Sequence, residues 1–138
     1  ELENALCNAS KAGIDVRIIT PHIPDKKIVF MVTRSYYKKL ILSGVRIFEY
    51  EPGFIHAKNL VADDNFAVVG TINMDFRSMY LHFECGVCMY DSPAVKDIHK
   101  DFMETLLVCS ETTKEHVMNI PFLKGLFVSV MQLFAPFM

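Results

Sequence analysis

Ile14-Asp-Val-Arg-Ile-Ile-Thr20 and Val45-Arg-Ile-Phe-Glu-Tyr50 are two runs rich in β-branched and aromatic residues, and what lies between them decides the fold. Pro21 and Pro24 end the first run, residues 27–42 carry apolar side chains at helical spacing, and Ser43-Gly44 stops that helix. Residues 1–12 read as a further helix stopping at Gly13, so the order is helix, strand, helix, strand. Such alternation predicts the α/β class, a layered structure with a sheet covered by helices.

Toward the C-terminus, Glu51-Pro52-Gly53 is a turn, residues 54–62 alternate like a strand, Asp63-Asp64-Asn65 is a turn cluster, and residues 66–69 form an apolar strand. The reading is a hairpin. An irregular stretch, residues 71–80, leads into a strand over 82–90 and a helix over about 92–108, with Ser92 or Pro93 at its start. Residues 121–138 contain a very apolar helix candidate at about 121–135, with Lys124, Ser129 and Gln132 as its polar side chains. Docking on the core is preferred over a membrane surface for it, because an interfacial helix usually has a rich cationic face; in a lipid enzyme both can hold.

A length of 138 residues suits one domain. Hydrophobic content of 51% against 22% charged excludes disorder, and a formal charge of −2 argues against a general nucleic-acid binder, leaving only a local patch at Lys38, Lys39 and Arg46. Cys7, Cys85, Cys88 and Cys109 lack the spacing of a secreted disulfide framework, so reduced thiols are expected. Cys85-Gly-Val-Cys88 is half a zinc pattern without its second pair, and on a strand a three-residue offset points the thiols to opposite faces. The opening Glu-Leu-Glu-Asn-Ala-Leu has no signal-peptide pattern and reads as a start in mid-architecture. No apolar run reaches the roughly 18–20 residues of a transmembrane helix, so membrane contact is expected to be peripheral.

The chemistry concentrates between residues 56 and 73. His56 and Lys58, two apart on an expected strand, project from one face; Asp63 follows at the turn, and Gly70-Thr71-Ile-Asn73 comes off the returning strand. A phosphodiester needs such a set: a nucleophile or proton carrier, plus positive charge and donors on the non-bridging oxygens, which Lys58, Asn73 and the Thr71 hydroxyl supply. Each residue alone is weak evidence, since a His beside a Lys on a strand is usually an accident of surface or core. Six fixed positions over eighteen residues are not. Lys58 provides charge where a metal would otherwise be needed, so neither metal nor other cofactor is expected.

This pattern, His56-x-Lys58-x4-Asp63-x6-Gly70-Thr71-x-Asn73, matches the HKD signature of the phospholipase D superfamily. The phrases Gly44-Val-Arg-Ile-Phe-Glu-Tyr-Glu-Pro-Gly-Phe-Ile-His56, Val69-Gly-Thr-Ile-Asn-Met-Asp-Phe-Arg-Ser78, Phe83-Glu84 and Tyr90-Asp91, with the terminal Leu-Phe-Ala-Pro, resemble the second, C-terminal HKD half of bacterial cardiolipin synthases over essentially the whole chain. Two departures are small: His82 stands where these enzymes usually have Asn, and Cys85 and Cys88 replace aliphatic or small residues.

The resemblance implies a mixed β-sheet covered by helices, one half of a pseudo-twofold fold in which two motifs meet. The partner would be an N-terminal HKD half of a longer parent, the reading preferred here, or a second copy in a homodimer. It implies phosphatidyl transfer through a phosphohistidine, two phosphatidylglycerols giving cardiolipin and glycerol, with His56 as general acid and then base, and an isolated monomer inactive. Glu84 is expected to hydrogen-bond the other nitrogen of the His56 ring, its alternative being a solvent-facing strand glutamate. Asp63 is expected to order its turn, as Asp75 and Arg77 can elsewhere. Tyr36, Tyr37, Tyr50 and Phe54 line an acceptor pocket or, more in keeping with each singly, fill the core. The parent would work at the bacterial cell membrane, on its cytoplasmic face. The rivals are a single-motif homodimeric phosphodiesterase or nuclease, which needs a basic groove, and a non-catalytic lipid-binding module.

Overall fold

A computed structural model describes residues 1–118, so the helix anticipated at 121–135 lies outside the described residues. The contacts divide the chain into two compact units, residues 1–54 with the segment from 109 onward, and residues 55–108.

In the first unit, α1 (Leu2–Lys11), β1 (Arg17–Pro21), α2 (Lys27–Leu42) and β2 (Arg46–Tyr50) follow the predicted order, and β6 (Cys109–Glu111) and α5 (Lys114–Met118) complete it. Gly13 and Gly44 take φ of 94° and 101°, the left-handed conformation that lets the chain leave each helix sharply. Strand β2 is central: it pairs in parallel with β1, Ile47 opposite Ile18, and antiparallel with β6, Tyr50 opposite Cys109. Having neighbours on both edges, it buries Ile47, Phe48 and Glu49 in succession, a run that alternation alone does not announce.

Helix α2 contributes Tyr37, Leu40 and Ile41, three and four residues apart and therefore on one face, to a cluster with Cys7, Val45, Ile47 and Val117. Full burial of a side chain such as Ile47 is worth about 1.5–3 kcal/mol. Tyr37 belongs to this core, its hydroxyl 2.7 Å from Thr20 Oγ1, which settles it as packing rather than pocket lining. Burial pushes the Tyr37 phenol up to about 12.

The second unit is a three-stranded antiparallel sheet, β3 (Asn59–Ala62), β4 (Phe66–Gly70) and β5 (Gly86–Tyr90), with α3 (Phe76–Tyr80) between β4 and β5 and α4 (Pro93–Leu106) after it. Both β-sheet and helix cover are therefore present, and the mixed sheet of the sequence reading is β1-β2-β6. Helix α4 packs on all three strands of the second sheet, begins with Ser92 at its N-cap and Pro93 at the next position, and buries Val95 completely. The row Val61–Ala67–Met89, paired across the three strands, is the shielded one, with Ala67 wholly buried. On the other face of the sheet, Leu60 and Tyr90 remain exposed.

Three boundaries differ from the sequence reading. Strand β3 starts at Asn59 rather than 54, so His56 and Lys58 precede the ladder. Strand β5 starts at Gly86 rather than 82. The stretch 71–80, read as irregular, contains the short helix α3, whose N-cap Asp75 accepts from Ser78 N at 2.8 Å.

Candidate active site

The hairpin is what positions the motif. Asp63 and Asp64 have φ of 51° and 57°, so both central residues of the Ala62–Asn65 turn are left-handed, as the twist-matched type of hairpin turn demands. Aspartate tolerates that conformation better than bulkier side chains. Asp64 also forms an ion pair with His99 of α4, tying the turn to the helix. Asp63 therefore sits at one end of the hairpin, and the strands then run four residues, roughly 13 Å, to the end where Lys58 and Gly70 meet. The structure sets Asp63 apart from the other motif residues.

At the Lys58 end, the backbone is close-packed. Gly70 N donates to Lys58 O at 3.2 Å, and Gly70 faces Gly86 across the β4–β5 ladder. A Cβ on Gly70 would lie 2.3 Å from Cys85 O and 2.6 Å from Gly86 Cα, so only glycine fits. Thr71 is fastened next: its N–H donates to Cys85 O at 2.9 Å, and its hydroxyl oxygen accepts from Cys85 N at 3.0 Å. That hydroxyl donates in turn to the Glu84 carboxylate. Hydrogen bonds from Thr71 and Ser78 hold Glu84 below the ordinary carboxylate range, and the Lys58 charge acts in the same direction.

Glu84 thus anchors a small network at the Lys58 end of the hairpin. Its bonds run to Thr71 and Ser78, whereas the sequence reading aimed it at the His56 ring and aimed the Thr71 hydroxyl at a phosphate. Lys58 is half-buried and donates from Nζ to His56 O at 2.7 Å, which folds the ammonium back along its own chain. His56 and Asn73 are exposed to solvent. Gly70, Thr71, Glu84 and Lys58 are brought together, with His56 tied to them through Lys58.

Two participants escaped the sequence reading. Ser78 is buried on α3 and supplies a hydroxyl to Glu84; its only signal was its place in the Asp75-Phe-Arg-Ser78 phrase. His82, noted as a departure from the pattern, accepts at Nε2 from Arg77 Nε and Nη2 at 3.2 and 2.9 Å. Asp75 and Arg77 accordingly shape α3 and the turn after it.

Chemically, the end of the hairpin offers a solvent-exposed imidazole and a half-buried ammonium beside a backbone that cannot shift without disturbing two paired glycines. No group of three or more His, Cys, Asp or Glu side chains disposed to hold a metal occurs among the described residues.

Residues 1–106 match the family model described as "Cardiolipin synthase, PLD-like domain". A cardiolipin synthase of Geobacillus kaustophilus is 40% identical over 136 residues, covering 99% of this chain and 27% of that protein. The Bacillus cereus protein named cardiolipin synthase 2 is 42% identical over 116 residues, 84% of this chain and 23% of its own length. An uncharacterized protein of Streptococcus mutans is 46% identical over 136 residues, 99% of this chain and 30% of that one. The chain thus spans less than a third of the curated relatives it matches.

Proposed function

This chain belongs to the family of cardiolipin synthase phospholipase D-like domains, and from that premise we propose that it supplies one half of a phosphatidyltransferase site. The other half is a second motif-bearing domain, on the same polypeptide or on a second copy. The substrates are two phosphatidylglycerols, and the products cardiolipin and glycerol, made at a membrane surface. No helix among the described residues is long and apolar enough to cross a membrane. The observation that carries the reading is the geometry at Gly70: its enforced close approach to Cys85 and Gly86 sets Thr71 and Glu84 beside Lys58, at the end of the hairpin where His56 is exposed.

In the proposed mechanism, the histidine of the partner half attacks phosphorus, forming a phosphorus–nitrogen bond as the bond to the departing glycerol oxygen breaks. His56 gives that oxygen its proton. It then takes the proton of the incoming glycerol hydroxyl, whose oxygen displaces the histidine and restores the diester. Lys58 and Asn73 stabilise the charge on the non-bridging oxygens. Glu84, ionised and fixed by Thr71, holds the Lys58 end of the hairpin. Asp63 holds the distant turn in its left-handed conformation. By this scheme a monomer of the chain alone does not turn over.

The test is a chimera. This chain replaces the matching 136-residue stretch of the Geobacillus kaustophilus cardiolipin synthase, and the purified chimera is incubated with phosphatidylglycerol vesicles. Cardiolipin and glycerol in equal amounts support the proposal. Phosphatidic acid makes the domain a hydrolase's, and cleavage of a soluble phosphodiester with no lipid product leaves only the superfamily chemistry.

A further inference from the structure

A second histidine stands in the first unit, where the motif chemistry has no use for it. Strands β1 and β2 run parallel and end together at Pro21 and Tyr50. His22 is the next residue, and its N–H donates to Tyr50 O at 3.2 Å, so it sits at the carboxyl edge of the parallel pair. In open α/β sheets, ligands bind beyond the carboxyl ends of parallel strands.

His22 is held there by a buried carboxylate. Glu49 on β2 is 5% exposed and accepts from Arg34 of α2 through both Nε at 2.9 Å and Nη2 at 2.5 Å, and from His22 Nδ1 at 2.9 Å. Burial pushes Glu49 up, but the bonds from Arg34 and His22 outweigh it and leave the group below its ordinary value, ionised. The Arg34 fork already neutralises Glu49, so a protonated His22 is a surplus positive charge. With Nδ1 turned inward and 49% of the side chain exposed, the Nε2 edge of the ring is the part left to solvent. Tyr37 is a neutral phenol hydrogen-bonded to Thr20 and to Glu49, and the adjoining loop carries Asp25 and Lys26.

We infer that His22, oriented by Glu49, is a binding position for a phosphate ester at the carboxyl edge of the β1–β2 pair. Nε2 is the ring atom that meets a phosphate oxygen, with Nδ1 fixed by Glu49. Ile23, Ile28 and Val29, in the same loop and the first turn of α2, are all exposed, which suits a phosphate attached to an apolar body. That the body is a phospholipid rests on the function proposed above. Phosphate recognition at His22 does not.

The experiment follows the imidazole resonances of His22 in the isotopically labelled chain. The probes, at constant ionic strength, are inorganic phosphate, glycerol 3-phosphate, and vesicles of phosphatidylglycerol or of phosphatidylcholine. The expected result is a saturable shift of His22 that persists in His56→Ala and weakens at least tenfold in Glu49→Gln. His22→Asn keeps a donor near the Nδ1 position but lacks Nε2, so it should retain the thermal midpoint while losing phosphate binding by equilibrium dialysis in the His56→Ala background. A purely structural His22 would show no such separation. A stronger response to phosphatidylglycerol than to free phosphate assigns the lipid headgroup, and an equal response assigns soluble phosphate esters. The inference is overturned if His22 does not respond to any phosphate probe, if its response vanishes in His56→Ala, or if His22→Asn binds phosphate as tightly as the parent. Each of these readings stands whether or not the chimera makes cardiolipin.

Discussion

The two units differ in where they keep their apolar side chains. The first gathers Cys7, Tyr37, Leu40, Ile41, Val45, Ile47 and Val117 into one buried cluster around a central strand. The second carries the motif, yet its buried residues are Ala67, Ser78 and Val95, while Phe76, Met79, Tyr80, Leu81, Phe83 and Val87 stand exposed. A sheet covered by a single helix has a shallow core, and backbone fit does much of the positioning that side-chain packing does in the first unit. Stability and chemistry are therefore housed apart: substitutions in the first unit should be felt in folding, and substitutions in the second chiefly in catalysis.

The sharpest way to break that division is His56→Ala. In the chimera it should lower phosphatidyl transfer by about 10³-fold with an unchanged urea midpoint, since the side chain is exposed. A shifted midpoint would show that the motif also holds the fold. Ile47→Ala, at 1% exposure in the central strand, should cost about 3–4 kcal/mol in urea unfolding of the chain. Gly70→Ala should cost about 2–3 kcal/mol, the exception that sharpens the contrast, because the added Cβ meets backbone that cannot yield.

Glu49 tests the first unit by pH. Its carboxyl is held below the ordinary value, so its contribution is present above the unfolded pKa and is lost as pH falls through the folded one. Glu49→Gln should cost about 1–2 kcal/mol at neutral pH, less than a fully buried pair because Arg34 reaches solvent, and should flatten the loss of stability below about pH 4.5. Smallest of all, Phe83→Ser should change the free energy of urea unfolding by less than about 0.5 kcal/mol, because this fully exposed ring has no packing to lose.

The sequence announced these units unequally. Helix α2 was legible to the residue, because Pro24 before it and Ser43-Gly44 after it are strong local signals. The Asp63-Asp64-Asn65 turn was legible for the same reason. Strand β6 was not: Cys109-Ser-Glu111 has no alternation, and it is a strand only because β2, about sixty residues earlier, offers it a free edge. Helix α3 is not legible in the sequence because five residues show less than two turns of periodicity, and its N-cap bond from Ser78 N to Asp75 exists only in the folded chain. In the site, the glycine and threonine of Gly70-Thr71 could be picked out by spacing, but which carboxylate oxygen meets which hydroxyl depends on how β5 returns alongside β4. The sequence therefore points to Glu84 but not to its partner.

The role of His56 as proton donor can be tested by changing the leaving group. Wild-type and His56→Ala chimeras would be compared on phosphatidylglycerol and on the 4-nitrophenyl ester of phosphatidic acid, whose nitrophenolate departs without needing a proton. If His56 is the proton donor, His56→Ala loses glycerol release by about 10³-fold but keeps the first burst of nitrophenolate within about tenfold of wild type, then stalls for want of a base. Equal loss of both would contradict it, making His56 the nucleophile or a group needed to assemble the site.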